Sequence, residues 1–338
     1  MSGYYYQQLS TGEKSVYDGL LTAFMSLAPS VRVPRLAPAR MADIFTLVRL
    51  DNPLLFYVPT FSWRADARAE HMEVLPQYLF DKGKIREQQR SLEARIGRLT
   101  RPLAGLSGEE KERAIHDFIL DNVCYDKLKK AYSHEIIGPL GHGVGVCEGI
   151  AKTVKVLCDA VGLPCVVALC EAAPEKGIKY RHTWNLIELL GKWYHVDATF
   201  DLSLQMGDHR YDYLNLDDRH IFRDHQNLVY PVPICTDGDG FYYRREKLSL
   251  TRTEDVENRV RQALRKKKET FVFHWRGGGI DQTLLADMIR RCDRAAAERE
   301  RFVTYSLNPS QAVIQLHFQA QPPAGAEVTV QQPDEGQE

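Results

Sequence analysis

Apolar residues along the first third of the chain recur at helical spacing. Between Gly12 and Leu27, Val16, Leu20, Leu21, Phe24 and Leu27 follow a period near 3.6 and predict one buried helical face. Pro29, Pro34 and Pro38 then break the pattern, and Asp51-Asn52-Pro53 is a turn signal. From Lys84 to Leu99 a highly charged stretch repeats Ile85, Leu92, Ile96 and Leu99, the pattern of a surface helix. Ser107 and Glu110 have the spacing of a capping box, and the helix they open would bury Ile115, Phe118, Ile119 and Val123. Residues 1–123 thus read as a mainly helical N-terminal region.

The pattern then becomes mixed. Ile150, Val154, Leu157, Cys158 and Val161 share one helical face, closed by Gly162 with Pro164 beyond it. The stretch Arg181–Thr199 reads as a β-hairpin turning near Gly191. Residues 233–319 predict a small α/β unit. It would hold a strand at Phe241–Arg244, a helix near Glu254–Lys267, a strand at Thr270–Trp275 and a helix near Asp281–Ala297. Strands Phe302–Leu307 and Gln311–Phe318 would close it across Asn308-Pro309-Ser310. The tail, 320–338, is rich in Gln, Pro and Gly and predicts loose order. The fold class expected is α+β, with a central core over 124–232.

Composition narrows the function classes. The 338 residues carry 44 Lys and Arg against 45 Asp and Glu, a net charge of −1, so no global field favours nucleic acid or an anionic membrane as partner. No secretion-type start and no 18-residue apolar run is present, and the 7 cysteines form no CxxC pair; the expectation is a cytoplasmic protein with reduced thiols. Thr236–Gly240 lacks the distal Glu of a calcium loop and reads as a turn. Gly277-Gly278-Gly279 is not followed by Lys-Ser/Thr and reads as a flexible connection rather than a phosphate loop. Arg265–Lys268 fits a solvated helix end. No cofactor and no metal is expected.

The densest chemical signal is Gly141-His142-Gly143-Val144-Gly145-Val146-Cys147-Glu148-Gly149. Cys147 falls in or just before the first turn of a helix, where unpaired N–H groups and the helix dipole favour a thiolate, and the glycines would let a substrate approach the backbone. A lone Cys is more often a small buried hydrophobe, and the other six read as packing residues. The hairpin alters this weighting. A two-residue turn at Leu190-Gly191 pairs residues whose numbers sum to 381, which sets Trp184 opposite Asp197 and places His182 diagonal to that acid, at about 7 Å or less between Cβ atoms. A turn at Gly191-Lys192 would separate the two. Taken singly, His182 reads as a strand histidine and Asp197 as a cap or turn residue. Together with Cys147 they compose a nucleophile, a proton carrier and an acid that orients it.

At Cys147-Glu148-Gly149, His182-Thr183-Trp184-Asn185 and Trp193-Tyr194-His195-Val196-Asp197-Ala198-Thr199 the chain resembles the core of the transglutaminase-like superfamily. Tyr211–Asp218 and Arg223-Asp224-His225 look like the region that follows that core in bacterial members, while 1–123 and 233–338 carry no resemblance. The resemblance implies a papain-like arrangement in which a helix-borne Cys147 is the nucleophile, His182 the general base and acid, and Asp197 its orienter. It also implies a thioester intermediate on a protein or peptide amide, resolved by an amine acceptor or by water. Tyr132 and His134 are candidates for an oxyanion donor upstream of the Cys. Trp184 and His195 are candidates for the site wall; a polar contact of His195 with Glu188 is an equal alternative. Asp201 is a second possible carboxylate. A cysteine peptidase of the same fold, or a peptide-binding module without turnover, are the other readings.

Overall fold

The computed structural model describes residues 3–65, 69–172, 181–322 and 328–330. Its elements group into two compact units, the first comprising 1–169, 181–191 and 228–232, the second 170–180, 192–227 and 233–338. Residues 192–227, expected with the central core, therefore group with the C-terminal segment.

In the first unit, helix α1 (Thr11–Ser26) starts from Ser10, whose side chain forms a reciprocal capping box with Glu13, and it buries Val16, Leu20 and Phe24 as the periodicity predicts. Strand β1 (Val31–Pro34) and helix α2 (Pro38–Asp51) follow. Strands β2 (Thr60–Arg64) and β3 (His71–Gln77) complete an antiparallel sheet ordered β1-β3-β2 that the helical reading of this region misses. Pro34 and Pro76 lie within it, and prolines weaken a strand signal. The alternation survives in β3, where Met72, Val74 and Pro76 turn inward.

Helix α3 (Lys82–Thr100) buries only Ile85, Leu92 and Ile96, a surface helix as expected. Helix α4 (Gly108–Asn122) begins at the predicted Ser107–Glu110 box and buries Ile115, Ile119 and Leu120, leaving Phe118 half-buried. Helix α5 (Cys147–Ala160) is buried from Gly149 to Cys158. A helix covered on this many sides needs its polar groups satisfied internally. Strands β4 (Cys165–Cys170) and β5 (His182–Leu189) are sheet neighbours. Buried Asn185 of β5 donates to the Ala151 carbonyl at 2.9 Å and to Cys165 Sγ at 3.5 Å, fastening this strand to α5. After β5, Leu190 and Gly191 have φ of 53° and 78°, the paired left-handed residues of a type I′ turn.

In the second unit, strand β6 (Lys192–Val196) pairs antiparallel with β7 (Leu214–Leu216), His195 opposite Leu216. The strand expected to run to Thr199 stops at Val196, because Asp197 caps helix α6 (Ala198–Ser203). Phe241–Arg244, expected as a strand, is instead a helical turn over Tyr242–Arg245 with Phe241 at its N-cap. Its aromatic residues carry strand propensity, but burying Phe241 and Tyr243 with Phe200, Tyr213 and Val313 decides the outcome.

Beyond it lie β8 (Ser249–Leu250), α7 (Thr253–Arg265), β9 (Thr270–Trp275), α8 (Gln282–Ala297), β10 (Phe302–Asn308) and β11 (Val313–Gln319). Strand β12 (Val328–Val330) pairs parallel with β10, so part of the tail is ordered; the expectation for 323–327 and 331–338 lies outside the described residues. The sheet order is β8-β9-β11-β10-β12, with antiparallel pairing at its centre. Val256, Val260, Met288 and Cys292 from the two helices pack with Phe273, Ile314 and Leu316 of the sheet.

A buried polar network ties this sheet to the segment before β7. Arg210, fully enclosed, forms a fork with both Asp212 oxygens at 3.0 and 2.7 Å and reaches Gln315 Oε1 at 3.0 Å, while Asn308 donates to Asp212 at 3.0 Å. A buried guanidinium is tolerated when its donors are met in this way.

Candidate active site

Cys147 is the first residue of α5, with Val146 at the N-cap in extended backbone. Its thiol is half-buried. Of the other cysteines, Cys158, Cys165, Cys170, Cys235 and Cys292 are buried and Cys124 is exposed. Burial pushes the Cys235 thiol well up, and that of Cys292 up to about 12.

Gly138 and Gly149, on either side of Cys147, serve the protein's own packing. A Cβ on Gly149 would lie 2.2 Å from the Ser133 carbonyl oxygen, and one on Gly138 would lie 2.6 Å from that of Val144. At Gly149 the close approach is thus between α5 and the backbone at 133–135. Substituting Gly149 by Ala is expected to destabilise the protein by about 1–3 kcal/mol, the cost of overpacking against rigid backbone. An unchanged urea midpoint in Gly149→Ala would show that α5 shifts freely.

Around the start of α5 the charges are paired. Buried Lys152 reaches Glu135 and Glu148, each at 2.8 Å, and donates to the His134 carbonyl at 3.2 Å. Arg49 pairs with Glu135, and the His134 ring lies 3.3 Å from Glu148. Burial opposes the charge on Glu148, but Lys152, the His134 ring and Arg49 outweigh it and hold the carboxyl well below the usual carboxylate range. His134, one oxyanion candidate, is therefore bound to Glu148. Tyr132, the other, has its ring 4.7 Å from that of His142, with Lys130 Nζ over the ring 5.8 Å from its centre.

His182 opens β5, buried, with its ring stacked on that of Trp184 at 5.7 Å and 16°. Trp184 is only 1% exposed. The residues share a strand face because they are two positions apart.

In the second unit Asp197 is held from several sides. Its Oδ1 accepts the backbone N–H groups of Thr199 and Phe200 at 2.9 and 3.0 Å, and its Oδ2 lies 2.9 Å from His225 Nε2. The backbone N–H of Asp197 itself donates to Tyr213 at 2.9 Å. The other nitrogen of His225 meets Asp224 at 2.9 Å, and Tyr213 donates to that carboxylate at 2.6 Å. Burial works against a charged His225, but hydrogen bonds to Asp197 and Asp224 and their negative charge prevail and raise its pKa. In the sequence Asp224-His225 stands out only as a stretch following the core. Its pairing with Asp197, 28 positions upstream, leaves no periodic trace.

Asp201 is buried, with its carboxyl pushed well up by desolvation and by Asp212 and Asp197, and it accepts the Tyr213 N–H at 3.1 Å. His195 is enclosed and pairs with Asp218 at 2.8 Å, a partner lying outside the hairpin. Donor atoms of His195, Asp218 and Cys235 converge within 4.8 Å, a set soft and hard enough in turn for zinc, although the Asp218 carboxylate already accepts the Cys235 N–H at 3.2 Å.

Comparison with known proteins agrees with the motif. The family model of the transglutaminase-like superfamily matches residues 94–198, which include Cys147, His182 and Asp197 and stop short of His225. No curated protein matches. Among solved structures, a TGase is similar at 12% identity over 48% of this chain and 49% of that one, with a TM-score of 0.29. A candidate cysteine protease from Cytophaga hutchinsonii is 14% identical over 41% of this chain and 61% of its own, with a TM-score of 0.27. A candidate protease from Parabacteroides distasonis is 17% identical over 41% and 36%, with a TM-score of 0.23. The chain thus spans less than two thirds of each of these structures. No helix among the described residues is long and apolar enough to cross a membrane. The fold is α+β, and residues 94–198 match the model of the transglutaminase-like superfamily.

Proposed function

We propose that the protein is a thiol enzyme acting on protein or peptide amides, with Cys147 as nucleophile, His182 as proton carrier and Asp197 as the acid that orients His182. The observation that carries this reading is the position of Cys147: a half-buried thiol on the first residue of a helix buried from Gly149 to Cys158, at the end where helical N–H groups have no intrahelical acceptor. Two features support it. The type I′ turn falls at Leu190-Gly191, the turn on which the hairpin arithmetic depends. The Asp197 carboxylate is fixed by two backbone amides and a histidine, as an orienting acid requires.

The reaction runs in two halves. The Cys147 thiolate attacks the amide carbon, forming a C–S bond while the carbonyl electrons move to oxygen. Collapse breaks the C–N bond, and His182 gives its proton to the departing amine or ammonia. An amine or water then attacks the thioester, His182 takes the proton released, and the sulfur leaves as thiolate. With an amine the product is a crosslink or conjugate; with water it is a deamidated or cleaved chain.

Iodoacetamide labelling near neutral pH tests the nucleophile. Cys147 is expected to react faster than Cys124, the exposed thiol, and Cys147→Ala should abolish the fast phase. Equal rates at the two would favour a binding module without turnover. Ammonia released from a glutamine peptide, against the appearance of a new N-terminus, separates acyl transfer or deamidation from main-chain cleavage.

A further inference from the structure

The C-terminal part of the second unit contains a cavity of about 530 Å³ in which cations collect. Arg219, Arg223, Arg244 and Arg276 line it together with His220 and His274, and among the described residues no Asp or Glu does. The whole chain is close to neutral, at −1, so this concentration of one sign is local. Among the described residues Arg219, Arg223 and Arg276 make no salt bridge; Arg223 donates only to the Ser310 carbonyl, at 3.0 Å. Arg244 does pair with Asp239, at 2.8 Å, but that carboxylate is 89% exposed and therefore well screened.

His274 reports the resulting field. It is buried, with Nδ1 on the Ser249 hydroxyl at 2.8 Å, and burial together with Arg244, His220, Arg223 and Arg276 pushes its pKa down to about 3. His220 is paired with Asp217, as Arg244 is with Asp239, whereas Arg219, Arg223 and Arg276 are exposed, their charges met by water and open to an anion. A second cleft next to this one, about 830 Å³, shares Arg244 and Arg276 but is also lined by Asp239 and Asp255, so its charge is mixed.

We propose that the cavity is a binding site for a small molecule bearing a multiply charged phosphate group. The volume lies in the range of small-ligand pockets. Planar guanidinium forks match phosphate oxygens in pairs. Ile280 and Leu307 supply an apolar wall for the rest of such a molecule, and Gly278 and Gly279 bring side-chain-free backbone to its rim. The site lies outside residues 94–198 and does not depend on the reading of Cys147.

Titration calorimetry of the full chain with inorganic pyrophosphate tests this. Saturable one-to-one binding is expected, weakening steadily as salt rises. Arg223→Gln and Arg276→Gln should each weaken it by about tenfold. Arg276→Lys should fall between, since it keeps the charge but loses the fork. Arg259→Gln, in the adjoining cleft, should leave it unchanged, and melting curves verify that each variant is folded. Absence of saturation at millimolar pyrophosphate, equal affinity for sulfate and pyrophosphate, or indifference to both Gln substitutions would each overturn the proposal. So would saturable binding of a phosphoserine peptide with none of pyrophosphate, because the occupant would then be a protein segment.

Discussion

Cys147→Ala is expected to lose at least about four orders of magnitude in kcat/KM on any amide substrate, because no other group can form the acyl intermediate. Serine at the same position should fail nearly as completely, since a hydroxyl at a helix N-terminus does not ionise near neutral pH as a thiol can. Neither variant has reason to unfold. The position is only half-buried, Val146 rather than Cys147 is the N-cap, and alanine suits a first helical turn. Single-turnover assays with matched melting curves supply the measurement. Retention of activity within tenfold of wild type would move the nucleophile elsewhere, with Cys124 the first position to try because its thiol is exposed.

Asp197→Asn should lower kcat by about 10⁴-fold while leaving substrate affinity close to wild type. The amide oxygen can still accept from Thr199 and Phe200, so the cap on α6 survives, and the loss reports proton handling rather than folding. The same substitution removes one of the two charges that hold His225 protonated. A histidine whose folded pKa is raised contributes stability that is complete below its unfolded value, about 6.5, and fades as pH climbs through the raised value. Urea midpoints followed from pH 6 to pH 9 should therefore decline less steeply in Asp197→Asn than in wild type. Parallel declines would mean that Asp224 alone governs His225.

The elements that could be read from the sequence were those whose burial is one-sided and periodic. Helix α5 follows directly from Ile150, Val154, Leu157 and Cys158, and the Ser107–Glu110 box marks the start of α4 within a residue. The N-terminal sheet escaped because its strands are short and carry prolines, and a three-stranded sheet of four to seven residues per strand gives too few alternations to outweigh the helices around it. Phe241–Arg244 was misread because propensity pointed one way and packing of its aromatic rings the other. Within the candidate site, Cys147, His182 and Asp197 stand out through motif and hairpin arithmetic. His225 does not, since its relation to Asp197 exists only after α6 and β7 have brought a loop back to a strand end. The glycines near Cys147 stand out as a cluster, but the packing role of Gly149 follows only from the Ser133 carbonyl beside it.

The enclosed fork between Arg210 and Asp212 has a bearing on how this chain can be dissected. Its outer partners, Asn308 and Gln315, belong to the last two long strands, whereas the fork itself sits a few residues ahead of β7, whose neighbour β6 leads directly into Asp197. A polypeptide trimmed after residue 232 would keep every residue matched to the family and yet open this ion pair to solvent on the side of the missing sheet. The minimal fragment that preserves the Asp197 environment therefore extends through Gln319, and shorter pieces are poor material for assay or crystallisation.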